Sequence, residues 1–179
     1  MSVPLDTLWT IGHSTRSWAD CVAILRDAGI GMLVDVRRFP GSRHNPQYAA
    51  DVLPAALAKE GIGYRALPGL GGRRTPSTDS VNIGWRVAAF RGYADHLASV
   101  EYRQARAELM EIARQWRSCV MCAEAVWWRC HRRLIADDLS ARGWTVVHLM
   151  GHGNAVPHTL QVGAVLIDDV LRYPQVAQE

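Results

Sequence analysis

Five short apolar runs alternate with segments of helical periodicity, and this alternation limits the chain to few folds. The runs are residues 8–12, 30–36, 62–67, 120–123 and 144–150. They are continuously apolar and do not alternate with polar residues, as strands buried on both faces of a parallel sheet do. Between them lie helix signals. Ser17 stands as an N-cap with Asp20 at the third helical position, a capping-box arrangement. Trp18, Cys21, Val22, Leu25 and Ala28 follow at helical spacing, and Gly29 ends the run. A second helix is expected over 51–60, with Pro54 in its first turn and Gly61 after it. A third covers 90–116 with a break near Ser99, and a fourth covers 130–142 and ends at Gly143. Strand–helix alternation implies an α/β fold: a single three-layer domain with a mostly parallel sheet and helices on both faces.

Residues 68–88 show neither period and read as a long loop, either a lid or a passive connection. Residues 162–170 read equally as strand or loop. At 179 residues the chain is expected to form one domain, 1–179. Its 49% hydrophobic and 21% charged content matches a globular protein and excludes a disordered tail, a coiled coil or a collagen-like repeat. No apolar run approaches the roughly 18 residues of a membrane helix. Residues 1–6 lack a basic region followed by an apolar stretch, so a cytoplasmic location is expected and no membrane partner. In that setting the four cysteines, Cys21, Cys119, Cys122 and Cys130, read as free thiols. Net charge is +3, too small by itself to imply nucleic acid. Lys59 is the one lysine among 20 basic residues. Either a base-composition bias accounts for the arginines, or their bidentate fit to phosphate and carboxylate does.

Ligands of open parallel sheets bind beyond the carboxyl ends of the strands. The first strand leads there to His13, Ser14 and Arg16, and the second to Asp35, Arg37, Arg38, Arg43 and His44. The third leads to Gly71, Gly72, Arg73 and Arg74. Beyond the fourth come Cys122, Glu124, Trp127, Trp128, Arg129, Cys130, His131, Arg132 and Arg133, and the fifth is expected to end near His148 and His152.

These residues carry a family resemblance. Thr10-Ile11-Gly12-His13-Ser14, then Val34-Asp35-Val36-Arg37 with Pro40, Ser42 and Arg43, then Cys122-Ala123-Glu124 and Cys130-His131-Arg132 resemble the DUF488 family, in the family's order. The resemblance spans about residues 8–148. It implies a small single α/β domain and points to the same strand-end residues; it supplies no mechanism.

Residues 122–133 are the densest segment. Arg129, Arg132 and Arg133 near a helix start oppose the helix dipole. An anion held by backbone amides and arginines would remove the conflict; so would exposure to water or a neighbour such as Asp137. Cys122 reads as an activated thiolate or as a small buried apolar residue. A phosphatase-type loop needs arginine six residues after the cysteine, where this chain has Trp128, so that chemistry is set aside. Cys119 and Cys122 lie within one apolar run and face opposite sides of a strand, which excludes a C-x-x-C redox pair or zinc knuckle. Cys130 and His131, with Cys122, His13 or His148, are donor types that suit zinc, but at no recognised spacing. Asp35 and Glu124 can divide acid and base roles or merely pair with arginines. Trp85, Trp127 and Trp128 can stack on bases or pack internally, whereas Trp9, Trp18 and Trp116 read as core or core edge.

The leading expectation is therefore a hydrolase or group transferase for a phosphate-bearing substrate, such as a nucleotide or nucleic-acid component. Arg37, Arg43, Arg129 and Arg132 would bind phosphate, with Ser14, Arg16, Asp35 and Cys130 completing the binding site. Cys122 or Glu124 would do the chemistry and His13 or His131 would manage protons. Two alternatives stand beside it: a non-catalytic nucleotide or nucleic-acid-binding module, and a Cys/His metal-dependent hydrolase. No cofactor and no metal site is assigned.

Overall fold

The computed structural model describes residues 6–41 and 43–174. Strands β1 (Thr7–Gly12), β2 (Met32–Asp35), β3 (Gly63–Ala66), β4 (Ser118–Cys122), β5 (Thr145–Gly151) and β6 (Asn154–Pro157) form one sheet in the order β3-β2-β4-β1-β5-β6. The first five are parallel, and β6 runs antiparallel at the edge. Helices α1 (Trp18–Asp27) and α2 (Leu53–Lys59) cover one face; α3 (Ala88–His96), α4 (Val100–Gln115) and α5 (Arg132–Ala141) cover the other. This is the expected three-layer α/β arrangement, with one apolar cluster on each side of the sheet. Among the described residues no helix is long and apolar enough to cross a membrane.

Local signals placed the helix ends well. The Ser17 hydroxyl accepts from the Asp20 amide at 3.1 Å and donates to the Asp20 carboxylate at 2.7 Å. The Ser99 hydroxyl caps α4 through the Tyr102 amide at 3.1 Å, which is why the long helical pattern breaks there. Gly29, Gly61 and Gly143 follow their helices with positive φ, a conformation glycine adopts without penalty.

The end of the sheet and the tail differ in detail from the expectations. Strand β5 covers the expected run to within one residue and ends at Gly151, next to His152, so His148 is a fully buried mid-strand residue and not a strand-end one. Residues 154–157 form an edge strand that the apolar pattern did not announce, because all four are exposed and one is proline. The ambiguous tail is a hairpin of β7 (Val165–Ile167) and β8 (Val170–Arg172) turning at Asp168 and Asp169, both with positive φ. Two such residues make a type I′ turn, more often signalled by Asn-Gly.

The loop after β3 is irregular but anchored. Tyr93 donates to the Leu70 carbonyl at 2.6 Å, and Asn82 donates to Asp95 at 2.8 Å. The Gly84 amide donates to the Tyr173 carbonyl at 2.9 Å. Trp85 is buried against Phe90 and Tyr173, so it is a packing residue and not a stacking platform.

His148 belongs to a buried polar chain. Thr10 Oγ1 meets its Nδ1 at 2.7 Å, its Nε2 meets His158 Nδ1 at 3.0 Å, and His158 Nε2 meets Asp137 Oδ1 at 2.8 Å. Burial first, then the neighbouring His158 and Arg132, push the His148 pKa down to about 3. Its value in an unfolded chain is about 6.5. The neutral ring therefore stabilises the fold fully above pH ~6.5, and that contribution is lost progressively as pH falls towards 3. Burial lowers His13 in the same direction. Urea-unfolding stability is expected to fall between pH 7.5 and pH 4.5, and His148→Gln is expected to flatten that decline. An unchanged slope in the variant would reject the assignment.

Candidate functional site

A cleft of about 440 Å³ opens beyond the carboxyl ends of β2 and β4. Its lining includes Cys122, Cys130, His131 and Tyr93 together with Arg37, Arg38, Phe39, Arg73, Glu124 and Arg129. Strand β4 delivers Cys122 directly. A 3-10 turn, Trp127–Arg129, then reverses the chain and returns Cys130 and His131 to the start of α5. Backbone bonds from the His13 amide to the Cys122 carbonyl (2.9 Å) and from the Ser14 amide to the Ala123 carbonyl (3.0 Å) tie this turn to β1.

The close fit explains Gly12. A Cβ there would stand 1.8 Å from the Glu124 carbonyl oxygen and 2.7 Å from an Arg132 nitrogen. Gly72 has a similar role, since its missing Cβ leaves room for the His131 ring.

The two thiols are the chemical centre. Cys122 Sγ and Cys130 Sγ are 2.7 Å apart, and both side chains are buried. Cys130 Sγ also lies 3.6 Å from His131 Nδ1 and accepts from the Arg132 amide at 3.5 Å. Burial opposes ionisation of Cys130, but the thiol bond from Cys122, then His131 and Arg132, outweigh it, and its pKa falls well below the ordinary thiol value. Cys122 moves the opposite way, raised by burial and by its thiol neighbour. The two thiols titrate as a pair, and the helix amide, His131 and Arg132 favour negative charge on Cys130 over Cys122.

Cys122 Sγ, Cys130 Sγ and His131 Nδ1 lie within 4.8 Å of one another, donor types that suit a soft metal. Their spacing does not. Two thiolates on tetrahedral zinc, each at 2.3 Å, stand about 3.8 Å apart, against 2.7 Å here.

The rim is cationic. Arg38, Arg73 and Arg129 are exposed, and none meets a carboxylate among the described residues. The Arg38 and Arg73 guanidiniums lie 5.4 and 5.9 Å from the centre of the Phe39 ring. Arg73 holds a left-handed backbone, φ 59°, which a residue with a Cβ seldom adopts outside a constrained site. The Glu124 side chain is exposed at the same mouth.

Of the remaining expected residues Arg37 reaches the cleft wall, and the others lie outside its lining. Asp35 and Arg37 form a buried ion pair: the carboxylate accepts from Arg37 Nε at 2.8 Å, Nη2 at 2.7 Å and its amide at 3.1 Å. Arg37 also donates to the Tyr48 carbonyl, which leaves Nη1 beside His13 Nε2 at 3.3 Å. His13 stacks on Tyr48 at 4.2 Å, on the α1–α2 side of the sheet. Arg16 donates to the Gly12 and Met150 carbonyls, away from the cleft. Ser14 occupies a tight turn with φ 46°. Arg43 is exposed outside the cleft lining. Arg132 is fully buried and donates to the Glu124 carbonyl at 2.7 Å, the Ala125 carbonyl at 3.5 Å and Thr10 Oγ1 at 3.2 Å. It supports the turn from beneath and is not part of the cleft lining. Trp127 stacks on His148 at 4.3 Å, nearly coplanar, so it packs internally.

Sequence reasoning noted Arg38, Gly72 and Arg73 at strand ends without giving them a role; their position directly after two strands was the available signal. Tyr93 and Phe39 left none, since their place in the cleft depends on helix and loop packing.

A family model described as domain of unknown function DUF488 matches residues 17–139. No curated protein and no solved structure matches the chain.

Proposed function

The chain belongs to the DUF488 family, and we propose that it is an enzyme that transfers or hydrolyses a group on a phosphate-bearing substrate through the Cys130 thiolate. One observation carries this reading: the Cys130 sulfur, in contact with a helix amide, a second thiol and a histidine, lies at the wall of a cleft whose mouth is lined with arginines. Arg38, Arg73 and Arg129 hold the phosphate as a handle, which arginine's planar fork suits. Cys130 attacks an electrophilic atom of the substrate. A bond from sulfur to that atom forms, the bond to the leaving group breaks, and the leaving group takes a proton from His131. Water then attacks the sulfur-bound group, passes its proton to His131, and the sulfur–substrate bond breaks to regenerate the thiolate. With a second nucleophile in place of water the outcome is transfer. His131 is suited to this exchange because its Nε2 is buried without a hydrogen-bond partner among the described residues and its Nδ1 faces the sulfur.

The test is alkylation of the reduced protein by iodoacetamide near pH 7, read by peptide mass. An ordinary thiol is only a few per cent ionised there. Cys130, with its pKa lowered, is ionised to a larger extent but is intrinsically less nucleophilic, so it is expected to react roughly tenfold faster than Cys21. Pyrophosphate or a nucleoside diphosphate is expected to protect Cys130, and Arg129→Ala to weaken that protection. Equal slow rates at all four cysteines, or indifference to every phosphate compound in a nucleotide panel, would overturn the reading.

A further inference from the structure

The close approach of two thiols at the cleft wall has a second chemical consequence. We infer that Cys122 and Cys130 are a reversible dithiol–disulfide pair, oxidised by a carboxylate-bearing low-molecular-weight disulfide that docks among the cleft's arginines. This does not depend on the group-transfer reading; it uses the same sulfurs in a different reaction.

Three observations support it. The sulfurs are 2.7 Å apart, and a disulfide bond of about 2.05 Å requires only a small further approach. The turn that brings them together is short and tied to β1, so closing the pair needs no element of the sheet to move. Both cysteines line the cleft, whereas Cys21 and Cys119 are buried in the cluster on the opposite face. The cation-rich mouth then selects the oxidant, because Arg38, Arg73 and Arg129 match carboxylates as well as phosphates.

The steps balance. The Cys130 thiolate attacks one sulfur of the small disulfide, a Cys130–S–S–R bond forms, and RS⁻ leaves. Cys122 then loses its proton and attacks Cys130 Sγ, expelling a second RS⁻; the pair's one proton ends on one released thiol, and the other takes its proton from water. The protein dithiol is oxidised by two electrons and the small disulfide is reduced by two. Excess thiol reverses both steps. In the oxidised state Cys130 is no longer a thiolate and cannot serve as the nucleophile, so the proposed enzyme is off.

Oxidised glutathione added to the reduced protein near pH 7 tests this directly. Trypsin cleaves after Arg117, Arg129 and Arg132, so Cys122 and Cys130 fall on different peptides, 118–129 and 130–132. Those two peptides are expected to appear joined, lighter by two hydrogens than their sum, with fragmentation placing the bond at Cys122 and not Cys119. In Cys122→Ser the reaction is expected to stop with glutathione retained on Cys130. The combined change Arg73→Gln and Arg129→Gln is expected to slow oxidation by glutathione disulfide about tenfold and to leave oxidation by the uncharged 2-hydroxyethyl disulfide unchanged. Absence of the joined peptides, or oxidation of Cys21 and Cys119 at the same rate, would overturn the pair. Equal slowing of both oxidants would overturn docking at the arginines. The wild-type peptide map needs no variant, so a variant that misfolds does not hide the answer. The phosphate-protection test is run under phosphine reductant and this one without substrate, so either reading can fail alone.

Discussion

Asp35→Ala is expected to destabilise the protein by about 3–5 kcal/mol, the cost of leaving a buried cation without its partner. Arg37 is 8% exposed, and its guanidinium makes two bonds to the carboxylate. The same carboxylate accepts from the Tyr64 hydroxyl at 3.0 Å. Removing it therefore breaks four hydrogen bonds at once, counting that from the Arg37 amide. Urea unfolding measures the loss. The double variant Asp35→Ala/Arg37→Met is expected to recover much of it, because an apolar replacement of both partners is often neutral. Tyr64 provides a second readout. Burial, then the Asp35 charge, hold its pKa at about 12; ultraviolet titration of Asp35→Ala is expected to move it down towards the ordinary phenol value. A loss below about 1 kcal/mol, the value of an exposed pair, would show that water reaches the pair in solution.

Arg132→Met is expected to lower stability by about 2–4 kcal/mol and to slow alkylation of Cys130. The stability loss follows from its acceptors. The Glu124 carbonyl loses its 2.7 Å donor, and the Ala125 carbonyl and Thr10 hydroxyl lose longer ones; each buried unsatisfied acceptor costs about 1–3 kcal/mol. Methionine fills comparable space, so packing loss is kept small. The reactivity loss is electrostatic. Burial works against the Arg132 charge, but Cys122 and Cys130 raise its pKa further than burial lowers it, so charge and thiolate stabilise each other. The readouts separate two roles. A brace for the turn alone would leave the pH midpoint of Cys130 alkylation where it is, whereas a counter-charge moves it upward. Full stability in the variant would reject both.

The three-layer α/β fold was legible in the chain because its signals are local. Continuous apolar runs, the Ser17 and Ser99 caps, and Gly29, Gly61 and Gly143 each act within a few residues. Strand β6 and the β7–β8 hairpin were not legible, because their residues are mostly exposed and their pairing is set by the element alongside. The list of strand-end residues was also local; their grouping was not. Neighbouring residues in a strand face opposite sides, so Gly12 and His13, or Asp35 and Val36, belong to different layers. The parallel register therefore sorts one list into two clusters, with His13, Asp35 and Arg37 against Tyr48 on the α1–α2 side. Cys122, Cys130 and His131 gather on the other, where Arg132 holds their turn in place. The amino-acid order by itself determined which residues reach the carboxyl edge of the sheet. Tertiary structure alone decided which of them meet, because side-chain direction and strand order are properties of the assembled sheet.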